Sequence, residues 1–110
     1  MWSVDFMTVR PGEHDRYRRF LEANWAKARR TARDRGLIRS YRALFTPDTA
    51  TSGFHVILLT EYPDSAAYER REMFQPILTA QGRTLIDGKA TRELTSKVEN
   101  HWLVGLLGAP

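Results

Sequence analysis

The chain is predicted to be an α+β protein, a ferredoxin-like sandwich in which an antiparallel sheet carries both helices on one face. Three observations lead there. A long amphipathic helix fits between Glu13 and Gly36, short segments on either side of it alternate apolar with polar residues, and the elements follow the order strand, helix, strand, strand, helix, strand. At 110 residues the chain has the size of one domain, residues 1–110, built on one core. Folding at this length removes roughly two-thirds of the extended surface from water, so no covalent staple is required.

Trp2 to Val9 alternates as a strand, with Trp2, Val4, Phe6 and Thr8 on one side and Ser3, Asp5, Met7 and Val9 on the other. Pro11-Gly12 then punctuates the chain. In the helix that follows, Tyr17, Phe20, Leu21, Asn24, Trp25, Ala28 and Ala32 fall on one stripe. Glu13 and Asp15 suit its positive end, Arg33 and Arg35 its negative end, and Gly36 can take the left-handed cap. Leu37 to Phe45 is expected to be the second strand, and Phe54 to Tyr62 the third, joined by the turn-rich Pro47-Asp-Thr-Ala-Thr-Ser-Gly53. Pro63-Asp64-Ser65 ends that strand and offers a polar cap to a second helix through Phe74, which spaces Ala66, Ala67, Tyr68 and Met73 towards the core. Pro76 interrupts it and can open a further short helix through Leu78 and Ala80. A final strand is expected within Thr91–Val104, with Leu94, Ser96, Val98 and Asn100 alternating against Thr95, Lys97, Glu99 and His101.

Composition narrows the functional classes. Without cysteine there are no disulfides, thiolate nucleophiles or cysteine-ligated metals, which fits a reducing, cytoplasmic setting. The N-terminus shows no basic region ahead of an apolar run, and the tract Trp102–Leu107 is far shorter than the roughly 20 residues that span a bilayer, so a soluble protein away from membranes is expected. The net charge of +4 is concentrated in the long helix, where eight Arg or Lys face four acids between Glu13 and Gly36. A solvated basic helix face explains this better than nucleic-acid binding, since no zinc-finger spacing, phosphate loop or aromatic RNA-binding signature accompanies it. The five serines sit in no nucleophile elbow, and the three histidines form no metal-ligating pair.

The run "VRPGEHDRYRRFLEA", a strand ending in Pro-Gly before a long helix, and the later "LLTEYPDSAAYER" resemble the dimeric α+β barrel superfamily, which includes antibiotic-biosynthesis monooxygenase-like, NIPSNAP-like and EthD-like proteins. The resemblance covers the chain to about residue 74. It implies a barrel of two sheets packed face to face, helices outside, whose lumen holds a small apolar molecule or a haem. The residues themselves demand no cofactor; haem stays open through the resemblance alone. Some monooxygenase-type members act on haem with asparagine, tryptophan and histidine, but Asn24 and Trp25 are neighbours about 100° apart on one helix and are not expected to converge. Both are read as helix-face and core-edge residues.

Alternation supplies its own reason to expect a homodimer. With Trp2, Val4, Phe6, Val56, Leu58 and Tyr62 towards the helices, the other face would leave Met7, Val9, Ile57 and Leu59 in water, and burying a few hundred Å² at roughly 25 cal/mol/Å² favours association. That face is expected to carry the candidate catalytic residues Asp5, His55 and Glu61, with Met7, Ile57, Leu59 and Arg42 as ligand-binding neighbours. An acid among apolar residues can serve as a general base, or can pair with an arginine on the next strand. Two functions follow. One is a small-molecule-binding barrel acting as a cofactor-independent monooxygenase or isomerase on an apolar or aromatic substrate; the other is a non-catalytic interaction or stress-related module whose lumen is filled by side chains.

Overall fold

Pro11-Gly12, with Gly12 in the left-handed region at φ 79°, ends β1 (Trp2–Val9) and turns the chain into the long helix. In the computed structural model, which describes residues 1–47 and 53–104, that helix comprises α1 (His14–Phe20), a π-helical turn (Leu21–Ala26) and α2 (Lys27–Asp34). Its predicted stripe is the buried one, with Tyr17, Phe20, Leu21, Ala28 and Ala32 inside. Gly36, at φ 75°, closes it: the Gly36 and Leu37 amides donate back to the Arg33 and Ala32 carbonyls at 3.0 and 2.9 Å. β2 (Ser40–Phe45) and β3 (Val56–Glu61) follow, both shorter than the sequence implies. The tip of their connection, and the apolar tract beyond Val104, lie outside the described residues.

Asp64 caps α3 (Ser65–Glu69), its carboxylate accepting from the Ala67 amide at 2.7 Å. After a 3₁₀ turn, Arg71–Met73, the chain enters α4 (Phe74–Gln81). Pro76 does not interrupt this helix, because in the first turn its missing N–H has no intrahelical acceptor to lose. Met73 is 48% exposed and Ala66 is exposed, against their expected core role, while Ala67, Tyr68 and Phe74 pack inwards. A further short helix, α5 (Thr91–Leu94), occupies the start of the segment expected to be strand, and β4 runs Thr95–Leu103.

The strands form one antiparallel sheet in the order β2-β3-β1-β4, the ferredoxin-like arrangement. Register decides its faces. Because residues paired across antiparallel strands point to the same side, the pairs Asp5↔Leu58 and Met7↔Val56 put Asp5 and Met7 with the helices. Met7 and Val9 indeed share a core with Tyr17, Phe20, Leu21, Val56, Leu58 and Leu94. The face assignment of β3 therefore holds, with Val56, Leu58 and Tyr62 inward, but that of β1 is reversed. Trp2, Val4, Phe6 and Thr8 lie on the open face beside Ile57, Leu59 and Glu61. Both sides of β1 are apolar, so alternation alone did not distinguish them.

A second core joins Ala28, Ala32, Ile38, Tyr62 and Ile77, where α4 packs on α2. α4 thus leans over α2 and the β3 end and does not cover β4, whose helix-side residues Val98 and Trp102 stay 49% and 58% exposed. The two cores do not merge, and a cleft opens between them.

Leu94 is wholly buried where α5 meets the first core. Leu94→Ala is expected to lower unfolding free energy by ~2–5 kcal/mol in urea denaturation; a change under ~1 kcal/mol would show that α5 is not part of that core.

Candidate functional site

The cleft, with a volume near 410 Å³, is floored by Asp5 and Met7 of β1 and Leu58 of β3. One wall is the long helix, presenting Tyr17, Phe20, Leu21, Asn24, Trp25, Ala28 and Arg29; the other is Leu78 and Gln81 of α4 with Gly82, Arg83 and Thr91 beyond it. The π-turn sets this wall. By closing i→i+5 bonds it inserts one residue more than an α-turn, and Asn24 and Trp25, not expected to converge, both line the cleft.

Asn24 is fully engaged. Its side-chain amide donates to the Phe20 carbonyl at 2.9 Å, inside the widened turn, and to the Thr84 carbonyl at 2.8 Å, while its Oδ1 accepts from the Thr84 amide at 2.7 Å. Gln81 Nε2 donates to the Asn24 carbonyl at 2.9 Å. The glycine-broken segment 82–90 is thereby strapped to the helix. Three ion pairs hold its far end, Asp87 with Arg16 at 2.8 Å and with Arg19 at 3.7 Å, and Lys89 with Glu13 at 2.7 Å. Lys89 and Arg16 hold the Glu13 carboxyl below its usual range, and Arg16 does the same for Asp87.

Arg29 is the half-buried cation of the cleft. Its Nε donates to Thr60 Oγ1 at 3.0 Å, and its guanidinium lies 4.9 Å from the Phe74 ring centroid and 5.4 Å from that of Trp25. Burial lowers its pKa, opposed by the charges of Tyr62 and Asp5, yet a guanidinium remains protonated in proteins. The Tyr17 phenol, 1% exposed, is pushed up by burial. Its hydroxyl faces the Thr91 side chain, which opposes that rise, and the Trp25 indole nitrogen is buried without a hydrogen-bond partner among the described residues. Asp5, paired in register with Asn100, accepts from the Asn100 side-chain amide.

The residues singled out from sequence fall in three places. Asp5 and Met7 belong to the cleft, Met7 in its packed floor and not on an exposed face. His55 is buried at the foot of β3, where its Nδ1 accepts from the Val9 amide at 2.9 Å and its own amide donates to the Met7 carbonyl at 2.7 Å. Its proton is thereby assigned to Nε2, and its ring meets that of His14 edge-on at 4.9 Å. Glu61, Ile57, Leu59 and Arg42 lie on the open face, Arg42 opposite Leu59 and Glu61 accepting from Ser40 Oγ at 2.9 Å. Asp5 and Glu61 are therefore on opposite sides of the sheet. In the sequence Arg29 reads as one arginine of a basic helix; what sets it apart is its position one residue after Ala28, on the border of the apolar stripe. No histidine lines the cleft among the described residues, so axial ligation of haem through histidine does not fit it. No described cluster of His, Cys, Asp or Glu could hold a metal ion.

No protein-family model matches the chain, and no curated protein matches it. Among solved structures, a dimeric ferredoxin-like protein from an uncultured marine organism superimposes with a TM-score of 0.61 at 12% identity, over 98% of this chain and 90% of that one. The likeness confirms the class, a ferredoxin-like α+β fold. Among the described residues no helix is long and apolar enough to cross a membrane.

Since the folded state depresses the Glu13 and Asp87 pKa values, the tie between segment 82–90 and the helix contributes stability above the ordinary carboxylate range and loses it as pH falls through the folded values. Amide exchange at Thr84–Lys89 is expected to accelerate selectively below about pH 4, and uniform acceleration across the chain would contradict a local release. Asn24→Ala should free the same segment at neutral pH, costing about 0.5–1.5 kcal/mol for each hydrogen bond lost to the exposed Thr84; unchanged Thr84 exchange would count against the clamp.

Proposed function

We propose that the chain is a small-molecule-binding homodimer, a dimeric α+β barrel whose ligand, a small apolar or aromatic compound, occupies the helix-side cleft. The observation that carries this reading is the cleft itself: a space near 410 Å³ whose aromatic and aliphatic walls, Phe20, Leu21, Trp25, Leu58 and Leu78 among them, are joined by polar groups such as Asp5 and Arg29. Its carboxylate, Asp5, suits proton abstraction, the step shared by isomerases and by monooxygenases that work without a cofactor. In an isomerisation Asp5 takes a proton from one ligand atom and returns it to another, so the reaction balances without a redox partner.

The second copy is placed on the open face. Trp2, Phe6, Leu44, Ile57, Leu59 and Leu103 share that side of the sheet, with Leu44 and Leu103 51% and 55% exposed. These apolar side chains lie on all four strands of one face, which they share with Arg42, Glu61, Glu99 and His101. The structural neighbour is itself described as dimeric. Large side chains from two such faces would fill much of a lumen between the sheets, which favours the cleft over the lumen as the ligand site. The same filling supports the interaction-module reading for the open face alone.

Sedimentation equilibrium is expected to give a dimer at micromolar concentration and a folded monomer for Leu59→Glu; a wild-type monomer would remove the barrel. Asp5→Ala is expected to leave the urea midpoint unchanged or raise it, as for a group retained for chemistry. A loss above ~1 kcal/mol would assign Asp5 to its hydrogen bond with Asn100 instead.

A further inference from the structure

Resting on the cleft as ligand site, we propose that Arg29 is an anion anchor and that the ligand is an apolar or aromatic carboxylic acid. The Arg29 side chain is fixed at its stem and on both flanks: Nε on Thr60, and the guanidinium over the Phe74 and Trp25 rings. That leaves the Nη1 and Nη2 groups with no hydrogen-bond or ion-pair partner among the described residues, the fork that accepts a carboxylate through two parallel bonds. The arginines that do form ion pairs among the described residues, Arg16, Arg19 and Arg33, sit on the helix surface.

A second, independent observation points the same way. The Trp25 indole nitrogen is buried at the cleft without a hydrogen-bond partner among the described residues, while the buried Tyr17 hydroxyl beside it faces the Thr91 side chain. Buried donors are ordinarily bonded. Asn24, which could have supplied acceptors, spends its side chain on Thr84 and Phe20, and the Asp5 carboxylate is occupied by Asn100. The lining therefore holds an unpaired indole donor and a guanidinium fork without a partner among the described residues, while its carboxylate, Asp5, is turned to Asn100; a ligand made of an oxygen-acceptor anion on an apolar body complements this. A neutral hydrocarbon would leave the indole and the fork unsatisfied. Arg83 also lines the cleft, but it is exposed, so water and salt screen its charge. Arg29 is immobilised in a less polar setting, where a charge-assisted bond is stronger.

The test compares 2-naphthoate with the neutral 2-naphthamide, an acid and an amide of nearly the same shape, by fluorescence titration of the full chain. Wild type is expected to bind 2-naphthoate at least tenfold more tightly than 2-naphthamide. Arg29→Met, which keeps the apolar stem, should weaken the acid tenfold or more and leave the amide within about threefold; Arg83→Gln should weaken the acid less than threefold. If Arg29→Met weakens both probes equally, or wild type binds both alike, the anchor is refuted while the cleft stands. If neither probe binds wild type, the cleft reading itself fails and takes the anchor with it. Should Arg29→Met not fold, the Arg29 Nε–Hε resonance of wild type decides: it should move on adding 2-naphthoate and stay still with 2-naphthamide, and equal response to both overturns the proposal.

Discussion

The register of β1 is the constraint on which the helix side depends. β1 is hydrogen-bonded on both flanks, to β3 and to β4, and a slip of one residue would send Asp5 and Met7 to the open face and Val4 and Phe6 under the helices. Asp5 is held in place by its opposite numbers, Leu58 on one side and Asn100 on the other. The irregularity between Thr8 and Val9 ends that register beside His55, whose imidazole takes up the Val9 amide. A buried polar group thus closes the strand where the ladder no longer can, and this accounts for a histidine at the foot of an otherwise apolar strand.

Above that floor, the cleft arises from where the second helical arm settles. α4 packs on α2 through Ala28, Ala32 and Ile77, around Tyr62, and leaves the helix side of β4 to solvent. A sandwich with both arms centred over the sheet would fill the space with side chains. Here segment 82–90 borders it instead, tied by Asn24, Arg16 and Glu13, three residues of or next to α1 and the π-turn. Ion pairs and hydrogen bonds secure that border alongside the packing of Ile86 and Ala90 on the first core, so it is the part of the site most responsive to pH.

Much of this was legible in the sequence. The long helix was, because charged residues at every solvent position leave one reading of its stripe, and so were the strand order and the face of β3, where Thr60 and Glu61 differ in what they can tolerate. β1 was not legible in its facing: Trp2, Val4 and Phe6 make as good an inward row as Met7 and Val9, and only the pairing with Val56 and Leu58 decides. Candidate residues chosen from that facing scattered accordingly, Asp5 to the cleft, His55 into the sheet end, Glu61 and Arg42 to the far side. α5 was hidden because four residues, Thr91–Leu94, are too few for helical periodicity to show, and its turn is set by the Glu93 carboxylate accepting from the Ala90 amide at 3.0 Å.

The π-turn has a consequence for how the chain is compared with others. A turn that closes one residue late holds one residue more than a regular α-turn. Laid over a helix that is regular throughout, the segment Leu21–Ala26 carries one unmatched residue, and positions beyond it, Arg29 among them, pair correctly only when that residue is left out.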